Sequence, residues 1–213
     1  MGLIRALLSR AHGGVFTLLT LVPAPGQGRI LRRYFDWWHR NPDPWGYATE
    51  SYELFKYRRT LEVLPASGYR TILDVGCSEG LFTRQLAEAY PDARVTGLDI
   101  SERALSRARA GAARSGIRFL AMDLLAERPE GVFDLVVCGE MLYYLGGGAR
   151  LRLASKRLSS LITVGGFLVL VHPWPGARRL YRYLDGDLLL KAAGEHVEEF
   201  SGQRFAITLY QRV

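Results

Sequence analysis

The chain of 213 residues has little cysteine, few lysines among its basic residues and no long apolar run. Its two cysteines, Cys77 and Cys138, lie in neither a CxxC nor a Cys/His pattern, which argues against a disulfide scaffold and a structural zinc site. The apolar run 15–22 is far shorter than the ~20 residues that a membrane-spanning helix needs. With these classes excluded, we expect a globular domain, because a chain of this length buries a sizeable core without cross-links.

The charge balance favours basic residues, 28 against 21 acidic ones, and the formal net charge is +7. Such an excess attracts polyanions. Here, however, the arginines of 29–33 and 103–118 alternate with apolar residues at helical spacing. That patterning favours solvated helix faces over a phosphate-binding surface, so no nucleic-acid partner is expected.

Residues 1–28 are predicted to form an N-terminal appendage and linker. Arg5 and Arg10 precede the short apolar run, an outline that resembles a weak secretory signal. The apolar positions 3, 4, 7 and 8 also fit one face of an amphipathic helix. A helix that docks on the domain or touches a membrane surface is favoured over a cleaved signal. Proline and glycine within 23–28 predict the linker.

From residue 65 onward, short apolar runs alternate with amphipathic stretches. The apolar runs predict buried strands over 71–76, 93–100, 116–123, 132–140 and 165–173. The amphipathic stretches predict helices over 80–90, 101–115, 149–162 and 187–193. The chain is predicted to end in two strands joined by a short turn, 195–201 and 204–213. This alternation predicts a doubly wound, Rossmann-like α/β domain over 65–213, with a mostly parallel sheet and a C-terminal antiparallel hairpin.

The first predicted strand ends in a glycine-containing loop directly before a helix. Gly76 and Gly80 let the backbone approach a ligand closely, and the helix N-terminus offers free N–H groups. Asp99 ends the second predicted strand, where an acidic side chain can accept hydrogen bonds from the hydroxyls of a ribose. The spacing therefore predicts a cofactor that carries a nucleoside. The alternative role for Asp99 is to cap the following helix beside Ser101.

The loop reads GxxxG and lacks the GxGxxG fingerprint of dinucleotide-binding proteins. Asp74 precedes the first glycine, where a carboxylate suits an ammonium group better than a pyrophosphate. S-adenosyl-L-methionine carries an amino acid where a dinucleotide carries phosphates. It is therefore the predicted cofactor, and a dinucleotide-dependent reductase is the less favoured alternative. No metal is expected.

The ordered series ILDVGCSEG, GLDIS, AMDLL and FDLVVCGEMLYYL resembles the motifs of class I S-adenosylmethionine-dependent methyltransferases. Within that class, DPWGYATESYELFKYRRTL, the GCS form of the loop and the run 140–145 are similar to the nodulation protein S (NodS-like) family of N-methyltransferases. The resemblance implies the class I fold and a small-molecule acceptor, such as the amine or hydroxyl of a sugar-containing compound. The alternatives are a nucleic-acid methyltransferase and a non-catalytic, methyltransferase-like partner protein.

The resemblance also implies roles for individual residues. The residues that it places around the cofactor are Asp74, Gly76, Cys77, Ser78 and Gly80 at the methionine part, Asp99 at the ribose, Ile100, Asp123 and Leu124 at the adenine, and Cys138 beside the sulfonium. Asp123 as a solvated loop residue is the alternative. Both cysteines are expected to be small buried thiols.

Candidates for the acceptor side are Glu140, Tyr143, Tyr144 and His172. A hydroxyl acceptor needs a general base close by, whereas an amine needs only to arrive neutral. His172 ends the fifth predicted strand, at the edge where ligands of such sheets bind, and is predicted to be catalytic together with Glu140 and Tyr143. The alternatives are an ordinary loop hydrogen bond for His172 and core packing for the tyrosines.

Residues 29–64 are predicted to be a helical lid on the acceptor side. Their part 43–57 is rich in aromatic residues, which suit a cover that excludes water and lines the acceptor pocket. Plain packing of a helix on the domain is the alternative. Because the cofactor is made in the cytosol, a cytoplasmic location is expected, with membrane contact through 1–28 left open.

Overall fold

The computed structural model describes residues 16, 22, 24–112 and 116–213, and a single sheet forms its centre. The strands are β1 (Thr71–Val75), β2 (Arg94–Asp99), β3 (Arg118–Ala121), β4 (Phe133–Gly139), β5 (Ile162–Pro173), β6 (Leu190–Phe200) and β7 (Gln203–Arg212). Their order in the sheet is β3–β2–β1–β4–β5–β7–β6. The first five strands in this order run parallel, and β7 pairs antiparallel with both β5 and β6. The predicted α/β fold with a C-terminal antiparallel hairpin is confirmed.

Helices cover both faces of this sheet. Those described are α1 (Ala24–Trp38), α2 (Ser51–Val63), α3 (Leu81–Ala89), α4 (Glu102–Gly111), α5 (Gly148–Ser160) and α6 (Ala177–Tyr181), with a 3₁₀ turn at Leu142–Leu145. Residues of α5 and α6 pack in one apolar cluster against the sheet, and residues of α2 and α3 in another. Within the described ranges, no helix combines the length and the apolarity that crossing a bilayer demands.

Strand β1 shows why the central strands read as continuous apolar runs. Ile72 and Leu73 are adjacent residues of β1, and both are fully buried. They nevertheless belong to different apolar clusters, because successive side chains of a strand point to opposite faces of the sheet. A parallel strand covered on both faces therefore needs apolar residues at every position. Each such leucine or isoleucine contributes roughly 1.5–3 kcal/mol by burial.

Two local expectations are wrong. The predicted helix over 187–193 is absent: turns lead to Leu190, where β6 begins, because pairing with β7 overrides the local pattern. The predicted linker over 23–28 is helical from Ala24 onward. Pro25 lies in the first turn of α1, where the N–H that proline lacks has no intrahelical partner. Apart from Phe16 and Val22, the N-terminal expectations for 1–22 lie outside the described residues.

Gly97 in β2 allows close packing at the edge where the strands end. A Cβ on Gly97 would lie 2.8 Å from Phe119 Cδ1 and 2.9 Å from Cys77 Sγ, closer than carbon and sulfur atoms pack. We therefore expect Gly97→Ala to lower the free energy of unfolding by about 1–3 kcal/mol, measured by urea denaturation. Gly68→Ala is the matched control, because a Cβ there meets nothing within 4 Å. Equal losses for the two variants would contradict this account.

Candidate active site

The loop that joins β1 to α3 forms the floor of the site. Gly76, Ser78 and Gly80 all have positive φ, at 79°, 51° and 72°. A Cβ on Gly80 would approach Phe119 Cε1 to 2.9 Å, so both backbone and space require glycine there. The N–H of Ser78 donates to Asp99 Oδ2 at 2.8 Å, which ties the loop to the end of β2.

A first cavity of about 740 Å³ lies at the carboxyl ends of β1, β2 and β4. On the sheet side, its walls include Gly76, Ser78, Asp99, Ile100, Asp123, Leu124, Gly139 and Glu140. On the other side they include Leu31, Phe35, His39, Trp45 and Tyr47. We call residues 24–63, which comprise α1, α2 and the loop between them, the cap segment. The first cavity thus lies between the sheet edge and the cap segment.

A second cavity of about 450 Å³ adjoins the first. The walls of both contain Tyr47, Gly76, Gly139 and Glu140, so the two spaces meet at the ends of β1 and β4. Only the second cavity has Asp74, Cys77, Lys56 and Tyr57 in its wall. Together the cavities suit an elongated ligand that crosses the shared wall.

Asp74, which is buried, and Asp99, which is half-buried, differ in how they are stabilised. Asp74 accepts a hydrogen bond from Thr83 Oγ1 at 2.6 Å, but burial, reinforced by the charge of Asp99, raises the pKa of Asp74 to about 7. Burial also raises the pKa of Asp99, although the backbone N–H groups of Ser101 and Ser78 oppose that shift. Asp99 therefore keeps two fixed hydrogen bonds and still faces the first cavity with its carboxylate.

Glu140 follows β4 in a left-handed conformation, with φ of 53°, which is unfavourable for a residue with a side chain. Its Oε1 lies 2.7 Å from Lys56 Nζ, and its Oε2 accepts a hydrogen bond from the Tyr143 hydroxyl at 2.8 Å. Glu53 Oε2 lies 2.7 Å from the same ammonium, which is 2% exposed. A buried group of one lysine and two glutamates thus borders the second cavity.

The contact between Lys56 and Glu140 determines the charge state of both side chains. Burial raises the pKa of Glu140, but the charge of Lys56 and the hydrogen bonds from Lys56 and Tyr143 outweigh it, and the pKa of Glu140 is lowered. Burial likewise lowers the pKa of Lys56, and the two glutamates reverse the direction. Both side chains are therefore ionised at neutral pH. A carboxylate held in this way is a weak general base.

His172 is fully buried and lines neither cavity, so its placement does not support the predicted catalytic role. Its Nε2 accepts a hydrogen bond from the N–H of Leu142 at 3.2 Å, and its Nδ1 lies 2.9 Å from the Tyr181 hydroxyl. Burial lowers the pKa of His172 to about 4, so the ring is neutral. It braces the 3₁₀ turn that carries Tyr143 and Tyr144.

The cysteines are buried free thiols, as expected. Cys77 lines the second cavity, but Cys138 belongs to an apolar cluster and lines neither cavity. Its neighbour Gly139 lines both cavities instead, because adjacent residues of a strand face opposite sides, so the placement does not support the predicted role of Cys138 beside the cofactor. Gly80 serves the loop conformation without lining a cavity. Tyr143 touches the site through Glu140, whereas Tyr144 lines the first cavity directly.

The cap segment covers both cavities and coincides with most of the predicted lid. Trp45 and Tyr47 lie over the first cavity, and Tyr47, Lys56 and Tyr57 over the second. Opening and closing of this segment stay a prediction. Sequence reasoning missed His39 and Lys56 as wall residues; the one available signal was a lysine in a chain whose basic residues are nearly all arginines.

The strand order, the reversed last strand and the cavities at the carboxyl edge match the fold of class I methyltransferases. In agreement, the family model described as a methyltransferase domain matches residues 72–166. S-adenosyl-L-methionine is the cofactor of this class, and the structure of magnesium protoporphyrin IX methyltransferase from Synechocystis, solved with that molecule bound, shares the fold (TM-score 0.65, 21% identity, 87% of this chain and 97% of that one).

Within the class, the chain resembles nodulation protein S. It is 33% identical over 129 residues to nodulation protein S of Sinorhizobium fredii, which covers 60% of this chain and 59% of the relative. An uncharacterized methyltransferase of Mycobacterium bovis is 37% identical over 116 residues, 54% of this chain and 56% of the relative. The matches thus span less than two thirds of these relatives. The structure of the N-methyltransferase NodS from Bradyrhizobium japonicum with S-adenosyl-L-homocysteine has a TM-score of 0.74 at 25% identity, covering 85% of this chain and 97% of that one.

The residues present fit S-adenosyl-L-methionine. Asp99 faces the first cavity beside the apolar Ile100 and Leu124, as a ribose next to an adenine requires. At Gly76, which lines both cavities, a Cβ would lie 3.1 Å from Met141 Cβ, so the wall has no room for a side chain where the two spaces meet. Asp74 in the second cavity is a buried carboxyl without a cationic partner among the described residues, which suits the ammonium of an amino acid.

We expect Lys56→Met to lower the free energy of unfolding by about 3–5 kcal/mol, because it leaves two glutamates without their buried counter-charge. Arg58→Met on the same helix is the control: Arg58 is 66% exposed, and its pair with Glu62 should contribute less than ~1 kcal/mol. Urea denaturation of both variants measures the difference. Similar losses of unfolding free energy in the two variants would show that the pairing of Lys56 with its two glutamates stabilises the fold no more than a surface ion pair does.

Replacing His172 should change how stability depends on pH. The pKa of His172 is near 6.5 in the unfolded chain and about 4 in the fold. Between these values the unfolded state binds a proton that the folded state does not, so stability is full above pH ~6.5 and falls towards pH ~4, by about 3 kcal/mol in total. His172→Gln keeps an acceptor for the Leu142 N–H and should remove this fall.

The raised pKa of Asp74 produces the opposite slope in the same range, so the difference between variant and wild type is the quantity to compare. Urea denaturation at a series of pH values measures it. The exposed histidine His196, changed to glutamine, provides the control. A His172→Gln profile parallel to that of the wild type would refute the assigned pKa direction.

Proposed function

We propose that this chain is an S-adenosyl-L-methionine-dependent methyltransferase whose acceptor is a small sugar-containing compound, with an amine nitrogen as the first choice of acceptor atom and a hydroxyl as the second. The class I fold, the fitting cavities and the similarity to nodulation protein S support this proposal. The observation that carries the choice of an amine is the state of Glu140, which is ionised and occupied by Lys56 and Tyr143.

An amine acceptor follows from the shortage of free bases at the shared wall. Among the described residues that line both cavities, Glu140 is the one carboxylate, and it is paired with Lys56. His172 lies outside that wall, behind the 3₁₀ turn, with both nitrogens in contact with other residues. A hydroxyl acceptor has to lose its proton during transfer, whereas an amine attacks through a lone pair and can lose its proton afterwards.

When bound, the cofactor supplies an electrophilic methyl group on a sulfonium. The protein has to align acceptor and methyl group and to exclude water. Gly76 and Gly139 provide backbone without side chains where the cavities meet, so no side chain from these two positions separates the two spaces. Trp45 and Tyr47 close the outer side, and the fixed carboxylate of Glu140 orients an acceptor that bears a neutral amine or a hydroxyl.

Calorimetric titration with S-adenosyl-L-methionine and S-adenosyl-L-homocysteine, with NADH as the control ligand, tests the cofactor assignment. We expect micromolar binding of both sulfur compounds and no binding of NADH. Asp99→Asn should weaken binding about 10- to 100-fold, since the amide nitrogen that replaces one carboxyl oxygen cannot accept a hydrogen bond. Asp92→Asn, at an exposed position, should bind like the wild type. Failure of the wild type to bind either sulfur compound would refute the proposed function.

Transfer of a labelled methyl group to matched acceptors tests the acceptor atom. Glucosamine, N-acetylglucosamine and glucose share the sugar ring and differ in whether position 2 carries a free amine, an amide or a hydroxyl. We expect label on glucosamine alone. Label on all three sugars would instead assign a hydroxyl.

A further inference from the structure

His39 is a cap residue that lies against the loop between β1 and α3. It directly follows α1, is 1% exposed and lines the first cavity together with Ser78 and Asp99. Its Nδ1 lies 2.9 Å from Glu79 Oε1, and its Nε2 lies 3.4 Å from Ser78 Oγ. The ring of Trp45 packs edge-on against the imidazole of His39, with 5.0 Å between the two ring centroids. A buried imidazole thus faces the cavity beside Asp99, the one residue that the sequence predicted at the ribose.

The contact with Glu79 sets the tautomer of His39. A carboxylate only accepts hydrogen bonds, so the Nδ1 that faces Glu79 carries the proton, and in the neutral ring Nε2 is the acceptor. The 3.4 Å separation from Ser78 Oγ is long for a hydrogen bond, so Nε2 can accept a shorter one from a ligand. The first cavity therefore presents a nitrogen acceptor beside the carboxylate of Asp99.

Glu79 itself is held firmly. Arg107 Nη1 donates to Glu79 Oε1 at 3.0 Å, and the N–H of Asp43 lies 3.2 Å from each oxygen of the same carboxylate. The guanidinium of Arg107 also donates to three successive backbone carbonyls, those of His39, Arg40 and Asn41. These contacts fix the end of α1, and with it the position of the imidazole.

We propose that His39 is a second ribose-binding residue, whose Nε2 accepts a hydrogen bond from one ribose hydroxyl of the cofactor while Asp99 accepts from the other. The inference rests on the proposed function, because it takes the nucleoside of S-adenosyl-L-methionine to occupy the first cavity. Both oxygens of Asp99 already accept backbone N–H groups, from Ser78 and Ser101, so a further acceptor for the second hydroxyl is chemically useful. Glu79 is the residue that positions His39.

Calorimetry with two probes tests the proposal: S-adenosyl-L-homocysteine and its analogue without the 2′- and 3′-hydroxyl groups. His39→Ala should weaken binding of S-adenosyl-L-homocysteine about five- to tenfold, the effect of one hydrogen bond, and leave binding of the dideoxy analogue unchanged. His39→Gln, whose amide oxygen lies near the place of Nε2, should recover part of the affinity. His196→Ala should match the wild type.

Equal weakening of both probes by His39→Ala, or no weakening of either, would overturn the proposal. A wild type that binds neither probe would instead overturn the proposed function. A measurement on the unaltered protein avoids any folding defect of the variants: the ¹⁵N resonance of His39 Nε2 should move upfield when S-adenosyl-L-homocysteine binds, because an acceptor nitrogen becomes hydrogen-bonded. An Nε2 resonance that does not move in that complex would also overturn the proposal.

Discussion

Lys56 of helix α2 and Glu140, which follows strand β4, form an ion pair. Each stabilises the charged form of the other, although burial disfavours both charges. Their 2.7 Å contact joins the cap segment to the sheet across 84 residues of chain. Both cavities depend on it, because Glu140 lines each of them and Lys56 closes one. Removal of Lys56 would leave Glu140 without its cation, so the pair holds the cap segment in register with the sheet edge.

The same contact explains the strained backbone at Glu140. A left-handed conformation costs a residue with a Cβ about 1–3 kcal/mol and persists only where surrounding contacts determine it. Here Lys56 and the Tyr143 hydroxyl each hold one carboxylate oxygen, and the N–H of Glu140 donates to the carbonyl of Val171 at 2.9 Å. The strain directs the carboxylate toward the shared wall, where an acceptor has to meet the methyl group.

The sequence predicted those parts of the molecule whose signals are local. Ile72 and Leu73 lie in an apolar run, Gly76 and Gly80 in a loop that only glycine fits, and Asp99 at a strand end, so their places could be inferred without the fold. His39 and Lys56 act through partners 40 and 84 residues away, and no local pattern marks such contacts. The predicted catalytic role of His172 and the predicted helix over 187–193, where β6 begins, lack support for the same reason. Tertiary packing, which the local sequence does not show, determines the surroundings of both.

One buried and two half-buried carboxyl groups at one sheet edge show how neighbouring groups shift the pKa of a carboxyl. Asp74 has a hydroxyl partner but no cation, and its pKa rises to about 7. Asp99 has two backbone N–H groups, which reduce but do not cancel the effect of burial. Glu140 has an ammonium, and its pKa falls below the ordinary value. The site therefore offers one carboxyl near neutrality, one hydrogen-bond acceptor and one fixed negative charge, as a ligand with an ammonium, a ribose and a cationic centre requires.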